Sequence, residues 1–393
     1  MAKMVIQGNM ATAHAARLAR TEVIPAYPIT PSTLFPEKIS SFIANGEMKC
    51  QFIKCESEHS AMSACIGASA AGARTATATS SQGLALMHEL LFVAAGMRLP
   101  IVMAVANRTL SAPLNIWCDH QDSMSERDSG WLQFYGETNQ EVLDLMLMAF
   151  RISEDHRVLL PSMVCLDAFV LTHTVENVDL PDITEVDEFL PPLKPRFVAL
   201  DPERPMTVGA FVNPDYYMEF RENAHESLAE SYKVIDEVFE GFYRKFGRRC
   251  SRVSEYRTED AEIILVTIGS MTGTARVAVD RMREKGEKVG LVKVTCYRPF
   301  PFKEVTDLAK RAKVVAIVER NISLGVCGAV YADFCAATAN LPDRARVYDY
   351  IIGLGGRDIL VSDFEKIVQS AKQAYARNKV FHLEWINVKK EGR

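Results

Sequence analysis

The sequence lacks several features that mark whole classes of protein. Its nine cysteines are an odd number and include no Cys-x-x-Cys pair, which argues against a disulfide framework, a zinc ribbon and a ferredoxin-type cluster. No run of about 18 uncharged apolar residues occurs, so no membrane span is predicted. The net charge of −5 provides no basic excess for nucleic acid. We therefore expect neither a membrane protein nor a nucleic-acid-binding one.

The amino terminus lacks a secretory pattern. Only Lys3 is charged before Asn9, and no long apolar stretch follows the charge, so we predict no signal peptide and expect a cytoplasmic protein. The composition, 48% hydrophobic and 24% charged residues, is typical of a soluble globular protein. A chain of 393 residues is long enough for two α/β domains.

Two stretches of the chain alternate short apolar runs with helical segments, which is the pattern of a parallel sheet covered by helices. In the first stretch, residues 1–178, we predict strands at Val23–Ala26, Arg74–Ala78, Ile101–Ala106 and Met163–Leu166, and helices at His59–Gly72 and Gly83–Ala95. The second stretch, residues 259–393, repeats the alternation. Residues 179–258 are rich in proline and carry a charged helical segment at about 226–246, which indicates a connecting arm. The predicted fold is α/β, with two doubly wound domains.

Ligands collect at the carboxyl ends of strands in open parallel sheets, and the segment Tyr27–Pro31 follows a predicted strand. Pro28 and Pro31 fix the backbone on both sides of Thr30. A rigid loop that only starts the next helix is the alternative explanation.

Two carboxylates, Glu56 and Glu58, lie where an otherwise apolar helix is predicted to begin. Either can complement the helix dipole as a cap. Their alternate spacing also suits a catalytic site, because an extended backbone would turn both to the same side. These residues alone leave cap and catalyst open.

Arg108 closes an apolar strand, and its planar guanidinium suits a substrate carboxylate. A salt bridge to a neighbouring acid is the alternative. His120, between Asp119 and Asp122, can approach the same cleft, but a hydrogen-bonded structural histidine is the simpler expectation.

Taken together, these segments resemble the pyruvate:ferredoxin oxidoreductase family. The motifs that carry the resemblance are Tyr27-Pro28-Ile29-Thr30-Pro31, Glu56-Ser57-Glu58, Thr79-Ser80-Ser81-Gln82-Gly83-Leu84, Asn107-Arg108, Asp119-His120-Gln121-Asp122 and Tyr297-Arg298-Pro299-Phe300-Pro301. They span nearly the whole chain, and the combination is specific although no single motif is. The likeness is to the α subunit of the multi-subunit form. It implies a thiamine-diphosphate pyrimidine-binding-type domain followed by a transketolase-C-terminal-like domain.

The resemblance implies roles for individual residues. Glu58 would bond the aminopyrimidine ring of thiamine diphosphate and so promote activation of the cofactor. Pro28 and Ile29 would contact the same cofactor. Arg108 would pair with the carboxylate of a 2-oxoacid, and Thr30 would donate its hydroxyl to that substrate. No metal-binding residue is expected on this chain.

The rest of the family's machinery is not recognisable in this sequence. It contains no Gly-Asp-Gly, so the diphosphate and Mg²⁺ site is expected on a β subunit. No cysteine spacing suits [4Fe-4S] clusters and no segment suggests a coenzyme A pocket, so both are expected on γ and δ subunits, with ferredoxin or flavodoxin as the electron acceptor. The cofactor would then lie at a subunit interface, and the chain alone would be inactive.

The implied activity is the oxidative decarboxylation of pyruvate with coenzyme A to acetyl-CoA and CO₂, which can also run as pyruvate synthesis. Three alternatives stay open. The first is the same chemistry on 2-oxoglutarate, a branched-chain 2-oxoacid, indolepyruvate or oxalate. The second is a non-catalytic assembly subunit, and the third is a transketolase-like or lipoamide-linked thiamine enzyme.

Overall fold

The amino-terminal part forms a parallel sheet with helices on both faces. The computed structural model describes residues 2–195 and 200–389. In chain order the first elements are β1 (Ala2–Ile6), α1 (Gly8–Leu18), β2 (Val23–Ala26), α2 (Leu34–Ala44), β3 (Gln51–Lys54), α3 (Glu58–Ala70), β4 (Ala76–Thr79), α4 (Ser81–Leu86), α5 (His88–Gly96), β5 (Val102–Asn107), α6 (Gln121–Ser125), β6 (Leu132–Tyr135), α7 (Asn139–Ser153), β7 (Ser162–Asp167) and β8 (Glu176–Leu180). The strands predicted here are confirmed, apart from small shifts of their ends.

The order of the parallel strands is β6-β7-β5-β4. A parallel bridge between Val23 and Thr75 continues the sheet to the β2–β3 pair. One predicted helix, Gly83–Ala95, is wrong as a single element, because the structure divides it into α4 and α5. The N–H of Met87 lies within hydrogen-bonding distance of two carbonyls, those of Gly83 and Leu84, which tightens the turn between the two helices.

The connecting arm contains three helices, α8 (Ile183–Phe189), α9 (Pro214–Glu230) and α10 (Tyr232–Phe246). The single helix predicted at residues 226–246 is therefore wrong. A proline occupies the first turn of α9, where its missing N–H costs nothing. Helix α10 buries one apolar face that includes Phe239 and Phe242, whereas α9 buries no residue.

The carboxyl-terminal part forms a second parallel sheet. Its elements are β9 (Val253–Tyr256), β10 (Ile263–Ile268), α11 (Met271–Glu284), β11 (Val289–Val294), β12 (Cys296–Arg298), α12 (Phe302–Arg311), β13 (Val314–Glu319), α13 (Ala329–Thr338), β14 (Arg346–Ile351), a short 3₁₀ turn (Leu354–Gly356), α14 (Val361–Ala376) and β15 (Leu383–Trp385). The strand order is β15-β14-β13-β10-β11-β9, and β9 is antiparallel to its neighbour. The alternation predicted for this part is confirmed.

One apolar cluster spans both parts of the chain. Side chains alternate along the strands, so Ala104 of β5 faces one cluster while Met103 and Val105 face another. The second cluster continues into the carboxyl-terminal sheet through Val266 and Val292. In addition, β12 leaves the second part and pairs antiparallel with β6. The division of the chain at residues 178 and 258 stays a prediction.

Among the described residues, none of the helices combines the length and the apolar character that crossing a bilayer requires. All nine cysteines are free thiols, and Cys65, Cys118 and Cys165 are among those that are buried.

Candidate functional site

The candidate site is formed by four loops at the carboxyl ends of adjacent parallel strands. Thr30 follows β2, Glu58 follows β3, Gly83 follows β4 and Arg108 follows β5. The carboxyl ends of neighbouring parallel strands open on the same edge of a sheet. Residues far apart in the sequence are therefore brought to one edge.

Glu58 and Glu56 differ sharply in their surroundings. Glu58 is the first residue of α3 and is buried, whereas Glu56 is exposed and accepts a hydrogen bond from the Ser60 hydroxyl. The helix is capped by Ser57, whose hydroxyl oxygen accepts a hydrogen bond from the Ser60 N–H at 3.2 Å. The residue between them, Ser57, is extended, but one carboxylate is exposed and the other is buried, so the two do not share one site.

The buried Glu58 carboxylate receives no hydrogen bond from any other described residue. Burial raises its pKa above the usual value of a glutamate. A β-carbon at Gly83 would overlap Glu58 Oε1 and Thr79 Oγ1, and the Thr79 hydroxyl is itself buried without a partner among the described residues. Sequence reasoning did not predict Thr79 or Gly83 as site residues. Gly83 could have been recognised from the sequence because it is a glycine just after a strand, within the motif Thr79-Ser80-Ser81-Gln82-Gly83-Leu84.

Arg108 contacts the loop that carries Thr30. Its Nη1 donates to the Thr30 carbonyl at 2.8 Å, and its Nε lies 3.4 Å from the Asn115 carbonyl. Within the described ranges Arg108 forms no ion pair with a carboxylate, so the salt-bridge alternative fails. The guanidinium is nearly buried and keeps donor capacity for an incoming anion.

The Thr30 side chain is exposed, and its hydroxyl makes no hydrogen bond within the part of the chain that the structure describes. The loop before it is held by the Ile29 carbonyl, which accepts the Ser32 N–H at 2.8 Å. Ile29 is half-buried and Pro28 is exposed. The structure thus brings Thr30 and Arg108 into contact, with Pro28 and Ile29 in the same loop.

Asp122 joins the β4–α4 turn to the end of β5, and sequence reasoning missed this role. Its carboxylate accepts the backbone N–H of Ser81 at 2.9 Å and that of Arg108 at 3.0 Å. The side chain is almost fully buried. In the sequence Asp122 stands out by its place in the motif Asp119-His120-Gln121-Asp122, but the motif does not indicate what the carboxylate binds.

His120 is hydrogen-bonded through one ring nitrogen, whereas its Nδ1 is buried without a partner among the described residues. It is fully buried and its Nε2 lies 2.7 Å from Asp167 Oδ1. The ligand atoms of Cys118, His120 and Asp167 lie within 4.8 Å of one another, an arrangement that suits a metal ion. However, Arg320 Nη1 is 3.0 Å from both Cys118 Sγ and Asp167 Oδ2. This buried guanidinium already supplies positive charge, so we assign no metal there.

Two helix-covered sheets, with the candidate site at the carboxyl ends of the parallel strands of the first, define a doubly wound α/β architecture. The chain belongs to the pyruvate:ferredoxin oxidoreductase family. Residues 14–240 match the family model described as "Pyruvate flavodoxin/ferredoxin oxidoreductase, thiamine diP-bdg", and residues 261–364 match "Pyruvate:ferredoxin oxidoreductase core domain II". The fold class and the family expected from the sequence are thereby confirmed.

Similar proteins match nearly the whole chain. The pyruvate synthase subunit PorA of Pyrococcus furiosus is 55% identical over 390 residues, which are 99% of this chain and 98% of that one. The ketoisovalerate oxidoreductase subunit VorA of Pyrococcus horikoshii is 47% identical, again over 99% of this chain and 98% of its own length.

A solved structure shows the same fold. The 2-oxoglutarate:ferredoxin oxidoreductase from Magnetococcus marinus, with 2-oxoglutarate, coenzyme A and succinyl-CoA bound, matches with a TM-score of 0.74 at 19% identity. The match covers 94% of this chain and 65% of that longer one.

Proposed function

We propose that this chain is the α subunit of a thiamine-diphosphate-dependent 2-oxoacid:ferredoxin oxidoreductase that converts pyruvate and coenzyme A to acetyl-CoA and CO₂, reversibly. The observation that carries the proposal is the Glu58 carboxylate, which is buried beside Gly83 and, among the described residues, receives a hydrogen bond only from its own backbone N–H. A buried carboxylate with so few donors is costly unless a ligand supplies more. Membership of a thiamine-diphosphate-binding family supports the cofactor as that ligand.

The residues present fit the pyrimidine half of thiamine diphosphate. When bound, this cofactor would supply a thiazolium carbon that becomes a nucleophile towards the keto group of the substrate once its proton is removed. Glu58 would hold a proton at a ring nitrogen of the aminopyrimidine and so promote that activation. The upward shift of its pKa favours this sharing, because a carboxyl group that resists ionisation keeps its proton in a hydrogen bond. The glycine at position 83 leaves the space in which the carboxylate turns towards the ring.

Arg108 and Thr30 hold the 2-oxoacid. The Arg108 guanidinium receives the substrate carboxylate, and the Thr30 hydroxyl donates to a substrate oxygen. The hydrogen bond between Arg108 and the Thr30 carbonyl holds the two residues in a fixed relative position before the substrate binds. Pro28 and Ile29 line the cofactor side of the same loop.

The remaining parts of the reaction reside on other subunits. We propose that a β subunit binds the diphosphate and Mg²⁺, and that γ and δ subunits supply coenzyme A binding and the [4Fe-4S] clusters, with ferredoxin or flavodoxin as acceptor. In support, the relatives with full-length matches are named as subunits. A cytoplasmic location stays a prediction.

The substrate is the part of the proposal that most needs a test. A pyruvate synthase subunit is 55% identical and a ketoisovalerate oxidoreductase subunit 47% identical to this chain, a gap too small to assign the acid. The test is coenzyme-A-dependent reduction of a low-potential dye by the native complex, with pyruvate, 2-oxoglutarate and 2-oxoisovalerate compared.

Strong preference for pyruvate is the expected result. Preference for another acid would keep the chemistry and overturn the substrate, and no activity with any acid would leave the assembly-subunit alternative. A visible absorbance band from iron-sulfur clusters in the same complex separates the ferredoxin-linked class from a lipoamide-linked enzyme.

A further inference from the structure

We propose that Asp122 is a positioning residue for this reaction. Its buried carboxylate fixes the distance between the turn that carries Gly83 against Glu58 and the strand end that carries Arg108. This inference rests on the proposed function, because it concerns how the cofactor-binding and substrate-binding groups are held at a fixed distance from each other.

One carboxylate group accepts four hydrogen bonds. Asp122 Oδ2 accepts the backbone N–H groups of Ser81 at 2.9 Å and of Arg108 at 3.0 Å. Asp122 Oδ1 accepts Asn107 Nδ2 and the backbone N–H of Ser123, both at 2.8 Å. The group therefore connects the β4–α4 turn, the end of β5 and the start of its own helix α6.

The Ser81 turn depends on this carboxylate. Ser81 has a φ of +52°, in the left-handed region that side chains other than glycine rarely adopt. Its side chain is fully buried. If Asp122 moved, the Ser81 N–H would lose its hydrogen bond without gaining one from water, which costs the desolvation penalty of the N–H group. An ionised acceptor makes stronger hydrogen bonds than a neutral one. The charge thus stabilises a turn that the local sequence disfavours.

The consequence reaches both functional groups. Gly83 is two residues beyond Ser81, and its α-carbon packs so closely on Glu58 that a β-carbon would overlap Oε1. Arg108 is held through its backbone N–H, while its side chain extends to the Thr30 carbonyl at 2.8 Å. Displacement of Asp122 would therefore move Gly83, which packs against Glu58, relative to Arg108. Misplacement of reacting groups by about 1 Å costs on the order of 100-fold in rate.

The test compares the assembled wild-type complex with complexes that carry Asp122→Asn or the control Asp128→Asn. Asp122→Asn keeps the shape of the side chain but removes the charge and directs an amide NH₂ group at backbone N–H donors. Asp128 is an exposed acid near the same helix. The readouts are KM for the 2-oxoacid, kcat per assembled complex, and amide hydrogen exchange of the peptides that contain Ser81 and Arg108.

For Asp122→Asn we expect faster exchange confined to those two peptides, together with a loss of about 100-fold in kcat/KM that includes a rise in KM. Asp128→Asn should match the wild type. Unchanged kinetics in an assembled Asp122→Asn complex would overturn the inference. So would faster exchange along the whole chain with unchanged turnover per complex, because that is the behaviour of a residue that only stabilises the fold.

A second variant covers the case in which Asp122→Asn does not assemble. Asn107→Ser removes one of the four hydrogen bonds to Asp122, together with the hydrogen bond from Asn107 Nδ2 to the Ser123 hydroxyl, and leaves the carboxylate in place. It should therefore give the same local exchange pattern and a smaller kinetic loss, about tenfold. Wild-type KM and exchange in an assembled Asn107→Ser complex would contradict the proposal. Failure of the proposed function is seen separately, as a wild-type complex that oxidises no 2-oxoacid, and the exchange pattern still tests Asp122 in that case.

Discussion

The guanidinium of Arg108 donates a hydrogen bond to the carbonyl oxygen of Thr30, 2.8 Å away, although 78 positions separate the two residues in the chain. The contact joins loops that follow β2 and β5. It orients the guanidinium through a neutral acceptor, and no carboxylate among the described residues forms an ion pair with it. A buried cation that is oriented but not paired is suited to bind an anionic substrate.

Replacement of Arg108 by lysine should separate charge from geometry. Lysine keeps the positive charge but loses the planar pair of donors, so we expect KM for the 2-oxoacid to rise about 100-fold with a smaller change in cofactor affinity. Steady-state kinetics and a thiamine diphosphate titration of the complex measure the two effects. Arg281→Lys, on the exposed face of α11, is the control. An unchanged KM for Arg108→Lys would remove Arg108 from the substrate site.

Glu58 and Glu56 form a matched pair for testing the catalytic carboxylate. Glu58→Gln should lower turnover of the assembled complex by about 100- to 10,000-fold, because an amide cannot share a proton with the pyrimidine ring. Glu56→Gln should leave turnover unchanged, since Glu56 is exposed and its carboxylate accepts a hydrogen bond from the Ser60 hydroxyl on the surface. Near-normal turnover of Glu58→Gln would favour the assembly-subunit alternative.

Gly83→Ala tests whether the space beside Glu58 matters. The new methyl group would overlap the Glu58 carboxylate and push it from its position, so we expect kcat to fall about 100-fold while the complex still assembles. Gly67→Ala in α3 is the control, because its β-carbon would meet no atom within 4 Å. That control should keep full activity and gain about 0.5 kcal/mol of stability. Equal activities of the two variants would contradict the close packing.

His14 should make the stability of the chain depend on pH. Burial, with help from the charges of Arg17 and Lys38, lowers the pKa of His14 from 6.5 to about 4, although Glu47 acts in the opposite direction. Below pH 6.5 the unfolded chain binds a proton that the folded chain does not bind until about pH 4. The contribution of His14 to stability is therefore present above this window and is lost as the pH falls through it.

The measurement for His14 is urea denaturation of the wild-type chain and of His14→Leu across this pH window. The difference between their free energies of unfolding should change by about 1.4 kcal/mol per pH unit within the window, with the wild type losing more stability as the pH falls. Parallel pH profiles for the two proteins would contradict the lowered pKa.

The buried ion pair between Arg320 and Asp167 should stabilise the contact between the two parts of the chain. Burial alone would raise the pKa of Asp167, but His120 and Arg320 hold it well below its ordinary range. Arg320→Met should therefore destabilise the chain by about 3 kcal/mol, because it leaves a buried carboxylate with less compensation. Denaturation experiments measure the change. Glu237→Gln, which breaks an exposed ion pair with Arg157, should have no measurable effect.

The sequence alone determined the alternation of strands and helices, since apolar periodicity and the positions of proline and glycine are local properties. It also indicated the loops that carry Thr30 and Arg108, because these follow predicted strands, and it indicated Glu58 because that residue lies where an apolar helix is predicted to begin. Periodicity did not reveal the break at Met87, which depends on a shared backbone hydrogen bond, or β12, whose partner β6 lies more than a hundred residues earlier in the chain.

Only the tertiary structure decided what each candidate side chain does. Glu56 and Glu58 are two residues apart and chemically alike, but one is exposed and the other is buried against Gly83. In the sequence, Asp122 is an ordinary acidic residue within a motif. In the folded chain, two backbone N–H groups from separate loops donate to the same oxygen of its carboxylate. Such contacts are set by the packing of distant segments. Local propensity does not encode that packing, and burial is what converts an ordinary carboxylate into a reactive or a positioning one.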